Sequence, residues 1–79
     1  MSPVYAVCAL VLLIESGERL LLQSPYQHTR DFQQCAWEIA VSRPRFVTSL
    51  SEYLAGRAFE LEELMCLTEH EFNRLRASL

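Results

Sequence analysis

The sequence predicts an α+β fold in a single small globular domain that spans residues 1–79. Three observations indicate this class: an apolar block near the N-terminus that a turn interrupts, apolar residues at helical spacing in the middle, and a helix-start signal near the C-terminus. The predicted arrangement is an N-terminal β-hairpin packed against three or four short α-helices. The hairpin covers about residues 4–14 and 19–23, and the helices cover about residues 30–42, 50–55, 59–66 and 69–78. The alternative is a small all-α helical domain.

The hairpin prediction depends on the block from Val4 to Ile14, which is apolar at all eleven positions and is followed by a Ser-Gly turn and three leucines. Gly17 accepts the positive φ of a tight turn, and the valines favour a strand. The competing interpretation is a helix that Ser2 caps and Gly17 ends. In either form the block must be covered from two sides, which a chain of 79 residues can barely do alone. This shortage indicates a partner surface or self-association.

The helix over residues 30–42 is predicted from apolar residues that recur at helical spacing, among them Phe32, Cys35 and Ile39. Pro44 is expected to end it, because proline lacks a backbone donor and restricts the residue before it. The stretch Arg43-Pro44-Arg45-Phe46 is then a connector. Trp37 is interpreted as an anchor of the core.

The next two helices are supported by weaker patterns. Ser49 and Glu52 have the spacing of a capping box ahead of the helix over residues 50–55. Leu61 and Leu64 keep helical spacing within residues 59–66, although the alternation of Phe59 and Leu61 with glutamates is also consistent with a strand.

The C-terminal helix over residues 69–78 has the clearest local signal. Thr68 and Glu71 form a second capping box, and Arg74 and Arg76 lie toward the negative end of the helix dipole. An apolar stripe that includes Phe72 is expected to pack onto the rest of the domain.

Composition limits the class of protein. The chain is 51% hydrophobic and 22% charged with a formal net charge of −3, which is typical of a packed globule. The apolar block stops at Glu15, well short of the roughly 20 residues that a membrane-spanning helix needs, and no basic segment precedes it as in a secretory signal. We therefore expect a cytoplasmic protein with no membrane contact.

Site chemistry is sparse in the sequence. The three cysteines, Cys8, Cys35 and Cys66, lack a Cys-x-x-Cys pair and are expected to be buried free thiols. His28 and His70 come without a nucleophile or metal-ligand motif, and no glycine-rich phosphate loop is present. We therefore expect no cofactor, no metal, no small-molecule substrate and no enzymatic activity.

The sequence instead favours a non-enzymatic protein-interaction module. The most concrete form of this hypothesis is a small regulator or inhibitor, of the kind that phages and mobile elements encode, which occludes a larger partner or binds its own copy. Glu60, Glu62 and Glu63 are the candidate docking residues for a basic partner. The alternative is a small nucleic-acid-binding transcriptional regulator in which Arg43 and Arg45 contact phosphate, although the acidic net charge argues against it.

Overall fold

The fold is a three-stranded antiparallel sheet with two helices, seen in a computed structural model that describes residues 3–24 and 28–79. The elements in chain order are β1 (Tyr5–Leu13), β2 (Arg19–Gln23), α1 (Phe32–Tyr53), β3 (Phe59–Thr68) and α2 (Glu69–Ala77). The strand order is β2-β1-β3. The predicted α+β class is found, but the predicted arrangement of one hairpin with three or four short helices is wrong, and so is the all-α alternative. Ser2, the residue proposed to cap that alternative helix, lies outside the described residues.

β1 is the centre of the sheet and not one arm of an isolated hairpin. It pairs with β2 on one side and with β3 on the other, both antiparallel. Val7 and Val11 on one face and Ala6 and Cys8 on the other are all buried. The apolar block is therefore covered from two sides, as its composition requires.

The two helices supply that cover. α1 packs Leu50 and Leu54 against Val11 and Leu13 of β1. α2 contacts all three strands, and within the described residues no Cα atom of α2 lies within 8 Å of a Cα atom of α1. α2 is thus the cover for the face that carries Ala6 and Cys8, and the sheet lies between the helices.

α1 is a single long helix where two short helices and a connector were predicted over residues 30–42, 43–46 and 50–55. Asp31 caps it by accepting a hydrogen bond of 2.9 Å from the backbone N–H of Gln33. The helix continues through Pro44 because Ser42 adopts a non-helical conformation (φ −108°, ψ 17°) just before it. Pro44 thereby falls in the first turn of the second half, where its missing N–H costs little. α1 is therefore continuous through Pro44 but kinked at Ser42.

The predicted helix over residues 59–66 is wrong, because this segment is the strand β3. A register shift between Leu10 and Val11 of β1 marks a β-bulge: Leu10 pairs with Glu63 and Val11 with Leu61, so that Glu62 is the extra residue. The bulge brings Leu61 and Leu64, three residues apart, to the same buried face of a strand. Spacing that indicated a helix therefore comes from an irregular strand.

The capping box of α2 is confirmed. The backbone N–H of Glu71 donates to Thr68 Oγ1 at 3.2 Å, and the backbone N–H of Thr68 donates to the Glu71 carboxylate at 3.0 Å. These two bonds start α2 directly at the end of β3, since the same residue, Thr68, ends the strand and caps the helix. The chain therefore reverses onto the sheet without a loop.

Two sequence expectations about single side chains are corrected. Cys35 and Cys66 are not free thiols but form a disulfide that joins α1 to β3, with a Cα–Cα distance of 6.1 Å and Val7 packed beside it. Trp37 is not a core anchor: 60% of it is exposed on the outer side of α1. Within the described residues, no helix is long and apolar enough to cross a membrane.

Candidate functional site

A cleft opens between α1 and the β2 side of the sheet. The contacts that α1 makes with the sheet are to β1 and β3, whereas β2 forms the opposite edge. The space left above β2 has a volume of about 330 Å³. This lies at the small end of the range for ligand pockets in proteins.

The cleft has an apolar floor and an apolar wall. The strand register places Ala9 beside both Leu22 and Leu64, so these side chains share the face that α1 covers. The apolar lining consists of Val7, Ala9, Leu21, Leu22 and Leu64 from the sheet and Phe46, Leu50 and Tyr53 from α1. Tyr53 is 72% exposed and therefore stands at the mouth.

The rim of the cleft is polar and carries one cation. Gln23, Ser24 and Ser49 contribute amide and hydroxyl groups, and Arg76 reaches it from α2. Among the described lining residues Arg76 is the only one with a charge. An occupant with an apolar body and an anionic group would therefore match the electrostatics of the cleft.

The outer edge of β2 runs along the same cleft. The backbone N–H of Ser24 donates to the carbonyl of Val7 at 2.8 Å, and the N–H of Leu13 donates to the carbonyl of Glu18 at 2.8 Å. These two bonds fix which residues of β2 point their backbone groups toward β1. Alternation along an antiparallel strand then turns the N–H and C=O of Leu21 and Gln23 away from β1. No strand in the described part of the chain pairs with this edge. Such an edge is a template for an added strand.

The other edge of the sheet carries the acidic residues that were candidates for docking. Glu60, Glu62 and Glu63 are exposed on β3, and Glu62 accepts a hydrogen bond of 2.9 Å from Arg19 Nε. An exposed ion pair of this kind contributes at most about 1 kcal/mol. Charges and a bulge are the features by which natural sheets protect an edge strand from pairing. β3 has both, whereas β2 has a single charged residue, Arg19, followed by three leucines.

The candidate phosphate contacts Arg43 and Arg45 lie elsewhere. Both are exposed on α1, immediately after the kink, and neither lines the cleft. They are part of a helix and not of the connector that the sequence indicated. The structure therefore places the two predicted charged sets on different elements, α1 and β3.

The remaining thiol is shielded. Cys8 is buried on β1, and desolvation raises the pKa of its thiol to about 11, while a backbone hydrogen bond from Leu67 opposes the shift. The thiolate is the nucleophilic form of a thiol, so burial keeps Cys8 protonated and poorly nucleophilic near neutral pH. Among residues 3–24 and 28–79 no group of His, Cys, Asp and Glu side chains is arranged to hold a metal ion.

Sequence reasoning missed the cleft. Tyr53, Gln23 and Arg76 come from α1, β2 and α2, so no local pattern joins them. The one signal in the sequence is the composition of β2, three leucines in a short strand that turned out to lie at a sheet edge. Comparison of the chain with protein-family models, with curated proteins and with solved structures finds no match. The site must therefore be interpreted from its own geometry.

Proposed function

We propose that this chain is a non-enzymatic protein-interaction module that binds an extended segment of a partner protein along the outer edge of β2. The observation that carries the proposal is the coincidence of a leucine-rich edge, with which no strand among residues 3–24 and 28–79 pairs, and an apolar cleft beside it. In this mode of recognition the backbone of the added strand supplies hydrogen bonds, and alternate side chains enter pockets.

The chemistry of the cleft defines the segment. Leu22 and Leu64 on the floor and Tyr53 at the mouth favour apolar side chains at alternate positions of the bound strand. Arg76 on the rim favours an acidic group near one end. The proposed partner therefore presents an extended, apolar segment with a carboxylate.

Binding of this kind leads to regulation by occlusion. A partner segment that pairs with β2 is unavailable to its other contacts, which fits a small regulator or inhibitor better than a catalyst. Neither a phage nor a mobile-element origin is needed for this argument, and both remain part of the sequence-based hypothesis.

The cellular compartment is linked to the disulfide. A cytoplasmic location requires that Cys35 and Cys66 are reduced in the cell, because disulfides are rare in the cytosol. Alkylation of the thiols in intact cells, followed by mass spectrometry, measures that state directly.

The test is a titration with labelled peptides that are long enough to lie along the whole of β2. In these peptides valine or leucine alternates with threonine, and the C-terminal end is either a glutamate or an amide. Fluorescence anisotropy should show saturable binding of the acidic peptides. Gln23→Pro should abolish binding, since proline removes an N–H that points away from β1 and would bond to the added strand, while no hydrogen bond between β1 and β2 is lost. Gln23→Ala keeps this N–H and should not abolish binding. Equal binding to both variants, or no binding of any peptide, would overturn the proposal.

The cation on the rim is tested separately. Arg76→Glu should weaken the acidic peptides more than the amidated ones, because the attraction becomes repulsion. Arg74→Glu is the matched control, since Arg74 lies on the same helix and does not line the cleft. If both variants weaken binding to the same degree, the effect is one of net charge and not of the cleft.

A further inference from the structure

The outer side of α1 carries a second apolar surface, which is distinct from the cleft. Trp37 is 60% exposed and Val41 is 56% exposed, and Ala40 and Pro44 are exposed beside them. Positions 37, 40, 41 and 44 have the spacing of one helix face. The inner side of α1 packs on the sheet through a different set, Cys35, Ile39, Phe46 and Leu50. α1 is therefore apolar on two sides, and the sheet covers one of them.

We infer that a second copy of this chain covers the outer side, with the two α1 helices packed antiparallel about a two-fold axis near Val41. In a two-fold interface each contact occurs twice, because a residue that touches a second residue in the other copy is itself touched there by the first copy's second residue. Trp37 and Pro44 are seven residues apart, so an axis at their midpoint places the indole of each copy over the proline ring of the other. Val41 lies near the axis and meets its own mate.

The charges on the flank support the same arrangement. Glu38 and Arg45 are also seven residues apart, which is about two helical turns, and therefore lie on the same flank of α1. An antiparallel pair places Glu38 of each copy beside Arg45 of the other. A parallel pair would place Glu38 of one copy and Arg45 of the other on opposite flanks, so that this contact would be lost. Rim pairs of this kind add little affinity, but they select the orientation.

The kink in α1 falls at the centre of this interface. Ser42 has non-helical φ and ψ, so α1 consists of two halves that meet at an angle next to Val41. With the axis at this point, the first half of α1 in one copy faces the second half in the other. The bend is then shared symmetrically by the two copies and does not separate them.

The test uses charge reversal and mixing. Sedimentation equilibrium should show that the full chain is a dimer. Glu38→Arg alone and Arg45→Glu alone each create two like-charge contacts per dimer and should weaken association about tenfold or more. An equimolar mixture of the two variants should dimerise again, because both contacts become opposite in sign in the mixed pair.

Two control variants separate a specific contact at this surface from a general effect of charge or of unfolding. Arg43→Glu should leave association unchanged, because the residue seven positions before it is Ala36 and not an acid. Trp37→Ala should be a monomer in sedimentation equilibrium. Its circular dichroism should be that of the folded protein, since the side chain is exposed. A wild-type chain that stays monomeric up to its solubility limit would overturn the inference, and so would a mixture that fails to recover. Peptide binding at the cleft does not depend on either result.

Discussion

Removal of the disulfide between Cys35 and Cys66 should destabilise the domain strongly. The bond closes a loop with a sequence separation of 31 residues between α1 and β3. In the chain-entropy description, a loop of this length restricts the unfolded chain by about 3.7 kcal/mol at 25 °C. For a chain of 79 residues, whose unfolding entropy is about 0.17 kcal/mol per kelvin, this corresponds to a decrease in Tm of about 20 °C.

The assay compares the oxidised protein with the same protein that has been unfolded, reduced and refolded in a reductant, by thermal melting under circular dichroism. The double variant Cys35→Ala/Cys66→Ala should melt near the reduced protein, or slightly below it because the shorter side chains leave a gap beside Val7. Alkylation of the oxidised chain in denaturant should modify one thiol, that of Cys8. Three modified thiols, or equal melting temperatures of the oxidised and reduced forms, would refute the reasoning.

The remaining predictions concern the core, the cap of α2 and the free thiol. Leu13→Ala should lower the free energy of unfolding in urea by about 2–5 kcal/mol, since Leu13 is 1% exposed. Thr68→Ala should cost about 1 kcal/mol in the same assay, because it removes the acceptor of the helix cap. The backbone and side-chain hydrogen bonds of Thr68 lower the pKa of Glu71 in the folded protein. The Glu71 carboxylate therefore stabilises the fold at pH values above its pKa in the unfolded chain, and this stabilisation is lost as the pH falls through its lower pKa in the folded protein. Stability of Glu71→Gln should therefore fall less steeply with acid than that of the wild type. Cys8 should react with a disulfide reagent at mildly alkaline pH only as fast as the domain unfolds, because burial raises its thiol pKa to about 11. Rapid labelling of the folded protein would contradict that statement.

Local signals in the sequence were sufficient where a few neighbouring residues decide the structure. The capping box of Thr68 and Glu71 is such a case, since donor and acceptor lie three residues apart. β3 shows the limit. Its identity depends on β1, whose second edge needs a partner, and its bulge produces an interval between Leu61 and Leu64 that one sequence alone cannot distinguish from a helical turn.

α1 failed for a different reason. Pro44 is a reliable signal against a regular helix interior, and the rule itself holds, since the helix is irregular at Ser42. What the rule could not supply is that a second helical half follows the kink directly, because both halves pack on one sheet. Tertiary contacts of Cys35 in the first half and Leu50 in the second make them one element.

The location of the available apolar surface follows from the central strand. The sequence raised the question of whether one face of the block from Val4 to Ile14 is left for a partner, and the burial of both Val7 and Cys8 shows that neither face is. Covering both faces uses the inner side of α1 and the half-buried side of α2 that carries Phe72 and Leu75, so the apolar groups that remain are those that the sheet cannot reach. Among the described residues, they include the edge of β2 and the outer side of α1 around Trp37. In a small chain that surrounds its own central strand, the apolar surface left for a partner therefore lies at the periphery, on a strand edge and on the outer side of a helix.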